Sequence, residues 1–303
     1  MRVLRTPEER FDGLPDFPYP VGYADVEGIR VAYVEAGPAD GPVVLLLHGE
    51  PSWSFLYRHV LRVLADAGIR AVAPDLVGFG RSDKPAAVAD HTYARHVEWM
   101  RALAFDALDL REVTVVGQDW GGLIGLRLAA EHPSRVARVV AANTGLPTGE
   151  FSMPEVWWDF RRAVERAEEL DVARFVQSGC LTRLSDEVRA AYDAPFPDES
   201  YKAGPRAMPG LVPVSTDDPA SAANIAAWAV LREWDKPFLT AFGDSDPITG
   251  PMAPILRKLV PGAAGRAHPT LTGAGHFLQE DAGERLGEVI AGFVRDDRRD
   301  DRA

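Results

Sequence analysis

Several stretches of the chain are largely apolar for four to seven residues and then stop at glycine, proline or small polar residues. They are Val43–Leu47, Arg70–Pro74, residues 113–116 and Val136–Ala142. Such β-branched runs have the composition of strands buried on both faces. Between them lie helix-like segments: FLYRHVLRVLADAG, which follows Ser54 and is closed by Gly68; residues 93–108; and LIGLRLAAEH, which stops before Pro133. Alternation of this kind predicts a parallel sheet with right-handed crossovers. Ahead of it, residues 23–36 read as two strands broken at Glu27-Gly28, a hairpin signal. Residues 1–20, with Pro7, Pro15, Pro18 and Pro20, read as an extended lead-in.

The alternation stops after residue 145. Residues 146–228 hold no convincing buried strand but do hold helix-like segments such as WWDFRRAVERAEEL and SDEVRAAYDA. A helical insertion over the sheet is the simplest account. The pattern resumes with a strand at 236–243, a helix at Met252–Leu259, a last strand at 265–272 and a helix at 283–294. The tail RDDRRDDRA reads as a solvated end. The expectation is therefore a mostly parallel, eight-stranded sheet flanked by helices, its core domain formed by residues 1–145 and 229–303, with a helical cap at 146–228.

Composition narrows the setting. An apolar fraction of 46% over 303 residues suits a globular chain with a full core. No stretch approaches the roughly 20 apolar residues of a membrane span, and MRVLRTPEERFDG lacks the apolar segment of a signal peptide. One cysteine, Cys180, leaves no internal disulfide and fits a reducing compartment. A net charge of −12 argues against nucleic acid or an anionic membrane as partner. A cytoplasmic protein is expected, with a monomer favoured, although oligomeric state cannot be read from this pattern.

The chemistry gathers at the strand ends. Gly117-Gln118-Asp119-Trp120-Gly121-Gly122 lies between the strand at 113–116 and an apolar helix, the context of a nucleophile elbow. The central residue of most such elbows is Ser; here it is Asp119. A carboxylate nucleophile forms an ester of its own side chain, so displacement at carbon is expected in place of ordinary acyl transfer. The plain structural alternative is an Asp at a helix N-terminus, where the dipole favours it. His48-Gly49-Glu50-Pro51, Asp246 and His276 also fall at strand ends, where open parallel sheets bind ligands. Each has an ordinary explanation as a turn or loop residue. Together they give the order nucleophile, acid, histidine of the α/β-hydrolase arrangement, Asp119, Asp246, His276.

These residues also carry a family resemblance. HGEP at 48–51, SWSFLYR, GFGRSDKP, GQDWGG, APFPDESYKAG and GAGHFLQED together resemble a haloalkane dehalogenase, over nearly the whole chain. The likeness is to the subfamily whose acid follows the seventh strand and whose second halide donor is a cap tryptophan. Asn143-Thr144 offers no carboxylate at the alternative acid position after the sixth strand. The resemblance implies that Asp119 displaces halide from a small apolar substrate. His276, oriented by Asp246, then activates water to hydrolyse the ester, leaving alcohol and halide. It also implies halide donation by the indole N–H of Trp120 and of a cap tryptophan, because Trp donates and does not accept. Trp157 is the better match and Trp158 remains open. The oxyanion hole would use the backbone N–H of Trp120 and of Glu50. In the other main subfamily an Asn occupies the place of Glu50 and helps hold the halide; a carboxylate would repel it, so a positioning role is expected for Glu50. No metal or cofactor is expected, since the histidines lack paired ligand spacing and GFGRSD lacks the third glycine of a dinucleotide fingerprint.

Three other readings compete. An epoxide hydrolase shares the fold and the Asp nucleophile and would need cap tyrosines, for which Tyr192 and Tyr201 are available. A fluoroacetate-type dehalogenase would need arginines beside the nucleophile, where Trp120 stands. A non-catalytic ligand-binding protein of this fold would be expected to lack a catalytic member.

Overall fold

The computed structural model describes residues 1–300, with side-chain surroundings through Arg295. Seven strands form one sheet: β1 (Val21–Val26), β2 (Ile29–Ala36), β3 (Val43–Leu47), β4 (Arg70–Pro74), β5 (Val113–Gln118), β6 (Val136–Ala142) and β7 (Phe238–Thr240). Their spatial order is β1-β2-β4-β3-β5-β6-β7. The hairpin β1-β2 and the β2-β4 pair are antiparallel, and every later pair is parallel. Every residue of the central strand β5 is buried, as expected where helices cover both faces of a sheet.

The eighth strand is much shorter than its sequence suggests. Only Thr270–Leu271 is extended, pairing in parallel with Phe242–Gly243, which continues β7 past a break at Ala241. Pro269 has no N–H to give a ladder. The ring of His268 does the pairing instead, its Nδ1 accepting the Thr240 N–H at 3.1 Å.

Helices α1 (Arg58–Asp66), α2 (Tyr93–Arg101), α3 (Trp120–Glu131) and, further on, α9 (Met252–Leu259) follow the strands. The segment from Ser54 starts as a 3-10 turn, Ser54–Tyr57, before α1 begins. The Ile69 N–H then reaches back to the Leu64 carbonyl across Gly68, whose φ of +73° ends the helix. Thr92 caps α2 by accepting the Arg95 N–H at 3.1 Å. α2 widens into a π turn over Ala102–Ala107.

Between β6 and β7 the described residues contain no strand. They form α4 (Glu155–Arg166), α5 (Val172–Ser178), α6 (Asp186–Asp193), α7 (Ala203–Leu211) and α8 (Ser221–Leu231). This segment shares the hydrophobic core with the sheet domain. The Trp53 indole donates to the Ala191 carbonyl at 3.1 Å and Thr6 Oγ1 donates to the Pro195 carbonyl at 2.6 Å. The final helical stretch, α10 (Leu278–Asp300), is two segments meeting at a kink at the non-helical Ala282 (φ −148°, ψ 34°); the second begins at 283, where the sequence suggests, and a short turn of helix from Leu278 precedes it. The glycine at 283 makes that first turn look like loop. Residues 301–303 of the charged tail lie outside the described residues.

Candidate active site

Asp119 stands at the turn between β5 and α3 with φ +50° and ψ −125°. This is a backbone state that an L residue adopts only when its surroundings impose it. Packing imposes it here. A Cβ on Gly121 would lie 1.9 Å from the Leu47 carbonyl oxygen, so α3 can begin this close to β3 only on glycine. The Asp119 N–H donates to the Asn143 carbonyl at 2.9 Å, and Thr144 Oγ1 donates to the Asp119 carbonyl at 2.7 Å. The side chain is thereby held out from the sheet at the N-terminal end of α3, where the helix dipole favours its charge.

Glu50, Asp246 and His276 converge on it from three other strand ends. The Glu50 N–H donates to Asp119 Oδ1 at 2.9 Å. His276 Nε2 lies 3.6 Å from Asp119 Oδ2, while its Nδ1 meets Asp246 Oδ2 at 3.0 Å. Asp246 also accepts the Ile248 N–H at 2.9 Å and the Thr249 hydroxyl. Its neighbour Asp244 is exposed and serves the loop, accepting from Ser245 Oγ and the Gly273 N–H. Burial opposes charge on both members of the His276–Asp246 pair. Their mutual attraction overrides it, with help from the Asp119 carboxylate for His276 and from the Thr249 and Ile248 donors for Asp246. The imidazole is raised to about 10 and the Asp246 carboxyl is held down to about 2.

Trp120 is the first residue of α3, a position whose backbone N–H has no partner within the helix. Its ring is buried against Tyr93, centroids 4.9 Å apart and edge to face. Trp157 and Trp158 sit side by side on α4 with ring centroids 4.8 Å apart; Trp157 is buried at 5% exposure and Trp158 is half-buried. Trp53 and Trp228 spend their indole N–H on backbone carbonyls, whereas the Nε1 of Trp120, Trp157 and Trp158 meets no protein acceptor among the described residues, and neither does that of Trp234, away from these strand ends in sequence. No group of three or more His, Cys, Asp or Glu placed to hold a metal ion occurs among the described residues.

The alpha/beta hydrolase fold family matches residues 42–283. A haloalkane dehalogenase of Psychrobacter cryohalolentis is 50% identical over 304 residues, covering 99% of this chain and 100% of its own. The chain belongs to the haloalkane dehalogenase family. A second haloalkane dehalogenase, from Mycobacterium marinum, is 50% identical over 96% of this chain and 99% of its own. Among solved structures, a tetrameric haloalkane dehalogenase from Paraglaciecola agarilytica NO2 superposes with a TM-score of 0.88. It is 35% identical and covers 95% of this chain and 97% of that one. The haloalkane dehalogenase family consists of hydrolases acting on carbon–halide bonds.

Several residues that shape this dehalogenase site carried no signal in the sequence. Asn143 joins two loops: its Nδ2 donates to the carbonyls of Gly275 (2.7 Å) and His276 (3.0 Å), and its Oδ1 accepts the Gly243 N–H at 2.9 Å. Gln118 lies against His276, its Nε2 3.2 Å from the His276 carbonyl and 3.3 Å from His276 Nε2. Tyr192, a candidate acid for the epoxide reading, is fully buried and bonded to Glu280, which also takes Arg58 at 2.7 Å. That tyrosine is committed to tying α6 to α10. Among the described residues no helix is long and apolar enough to cross a membrane.

Proposed function

We propose that this protein hydrolyses the carbon–halogen bond of a small apolar haloalkane to a primary alcohol and halide, through an ester on Asp119. The observation that carries the reading is Asp119 itself, a carboxylate held in the elbow conformation with the paired imidazole of His276 3.6 Å away. Its two oxygens have different surroundings. Oδ1 receives the Glu50 N–H and Oδ2 faces His276. Attack by Oδ2 leaves Oδ1 as the ester carbonyl, already against a backbone donor. When water adds to that carbonyl, the oxyanion forms at Oδ1, where the N–H groups of Glu50 and Trp120 stabilise it. The departing halide takes the indole N–H of Trp120 and, from α4, that of Trp157; burial favours Trp157 over Trp158.

The base is timed by the same charges. In the free protein Asp119 and Asp246 together hold His276 protonated. Ester formation removes the charge of Asp119, and with it one cause of the raised proton affinity. The imidazole can then release its proton and take one from the attacking water, with Asp246 stabilising the resulting cation.

In this reading residues 146–228 form the cap and residues 1–145 and 229–303 the core. One chain supplies the whole site: nucleophile, acid, base and donors. The lone Cys180, which leaves no internal disulfide, supports a cytoplasmic location. The test is incubation of purified protein with a bromoalkane and, separately, an epoxide. Bromide release with an untouched epoxide is expected. Epoxide opening would move the assignment to that chemistry, and inertness toward both would leave a binding protein.

A further inference from the structure

Glu50 touches the nucleophile, yet nothing is placed to hold a charge on its side chain. Its backbone N–H is committed to Asp119 Oδ1. Its side chain is largely buried, with 5% of the residue exposed; Oε1 is enclosed without a partner, and no side-chain hydrogen bond of Glu50 is formed among the described residues. Other buried carboxylates of this chain are well supplied. Asp246 has His276, Thr249 and the Ile248 N–H. Asp75 has the N–H groups of Ser54 and Arg81, and Asp83 has Arg5 and the Arg30 N–H. Glu280 has Arg58 and Tyr192.

The groups that act on Glu50 electrostatically are Asp119 from the elbow and His276 from the loop before α10. The charge of His276 is already shared between Asp119 and Asp246. On its own loop, His48 is bonded through Nδ1 to the Gly49 carbonyl and through Nε2 to the Leu76 N–H, which fixes it as a neutral ring. A second anion beside Asp119, buried and without a donor, is far costlier than a retained proton.

We propose that Glu50 serves the reaction as a neutral carboxylic acid, an uncharged wall beside Asp119 that keeps its proton while the halide forms and leaves. The inference rests on the dehalogenase reading above. Displacement moves one negative charge from Asp119 to the halide. With Glu50 neutral, no further anion on that loop opposes the transfer, and the objection that a carboxylate there would repel halide does not arise. Burial, followed by the nearness of Asp119, raises this carboxyl well above the ordinary range, and His276 offsets only part of it.

Infrared difference spectra of the wild type against Glu50→Gln test the protonation state directly. Near neutral pH the wild type should show the carbonyl band of a protonated carboxylic acid that the variant lacks, and isotopic labelling of glutamate should move that band. Bromide affinity, read from tryptophan fluorescence, tests the consequence. It is measured with His276 replaced by Phe, so that the imidazole does not titrate. As alkali removes the band, affinity should weaken at least about tenfold in step, with no matching fall when Glu50→Gln is added. Absence of the band near neutral pH, or an equal fall in both proteins, would overturn the proposal. A chain that neither quenches with bromide at any pH nor releases halide overturns the dehalogenase reading itself, which is a different failure.

Discussion

At the scale of single residues, the convergence of Asp119, Asp246 and His276 was legible because they punctuate strand ends in a fixed order. The choice of Asp246 over Asp244 has a physical basis in the fold: one is buried on His276 Nδ1, the other exposed on a glycine turn. Asp246→Asn should therefore lower turnover by about 10³-fold or more. Asp244→Asn should leave steady-state rates within about threefold, in keeping with an exposed loop position. Replacing His276 with Phe separates the half-reactions: one equivalent of halide in a burst, then a stable alkyl adduct that peptide mapping places on Asp119. Steady turnover in that variant would require another base. Trp157→Phe keeps ring volume and removes the N–H, so bromide quenching should weaken and KM rise. If Trp158→Phe does this instead, the second donor is Trp158. Asn143, Thr144 and Gln118 were not legible, since nothing in their local sequence tells which distant backbone atoms they will meet.

At the scale of elements, the buried strands and the elbow were visible in apolar runs and glycines, because both faces of a central strand must be apolar. The eighth strand and the short helical turn ahead of Ala282 were not. A histidine ring stands in for strand pairing at Thr240, and the non-helical Ala282 separates a first turn from the helix that the sequence does announce at 283. The elbow itself gives a sharp prediction. Gly121→Ala places a methyl group 1.9 Å from the Leu47 carbonyl oxygen. Either α3 shifts or Asp119 leaves its conformation, so the unfolding midpoint should fall, by about 1–3 kcal/mol of stability or more, and activity should fall with it. A second prediction concerns α10. Glu280→Ala strands Arg58 without its partner in a buried setting, at a cost of about 3–5 kcal/mol in denaturant unfolding.

For the whole molecule, stability should carry the mark of the active site. His276 is raised from 6.5 to about 10 in the folded chain, so its ion pairs stabilise the fold fully below pH 6.5 and are lost as pH rises toward about 10. Asp246, lowered from 3.8 to about 2, loses its contribution only as pH falls through that lower window. Thermal unfolding across pH should show an alkaline decline that is smaller in the His276→Phe variant; parallel profiles would mean that other groups set it.

The carboxylate of Asp281 accepts the N–H of Gly275, just before His276, at 2.8 Å, and those of Leu181 and Thr182, between α5 and α6, at 3.0 and 2.6 Å. One side chain thus fastens the loop that carries His276 to the helices between β6 and β7. Any local unfolding that withdraws Asp281 releases all three amides together. Their hydrogen exchange should rise and fall together, and Asp281→Ala should accelerate all three at once.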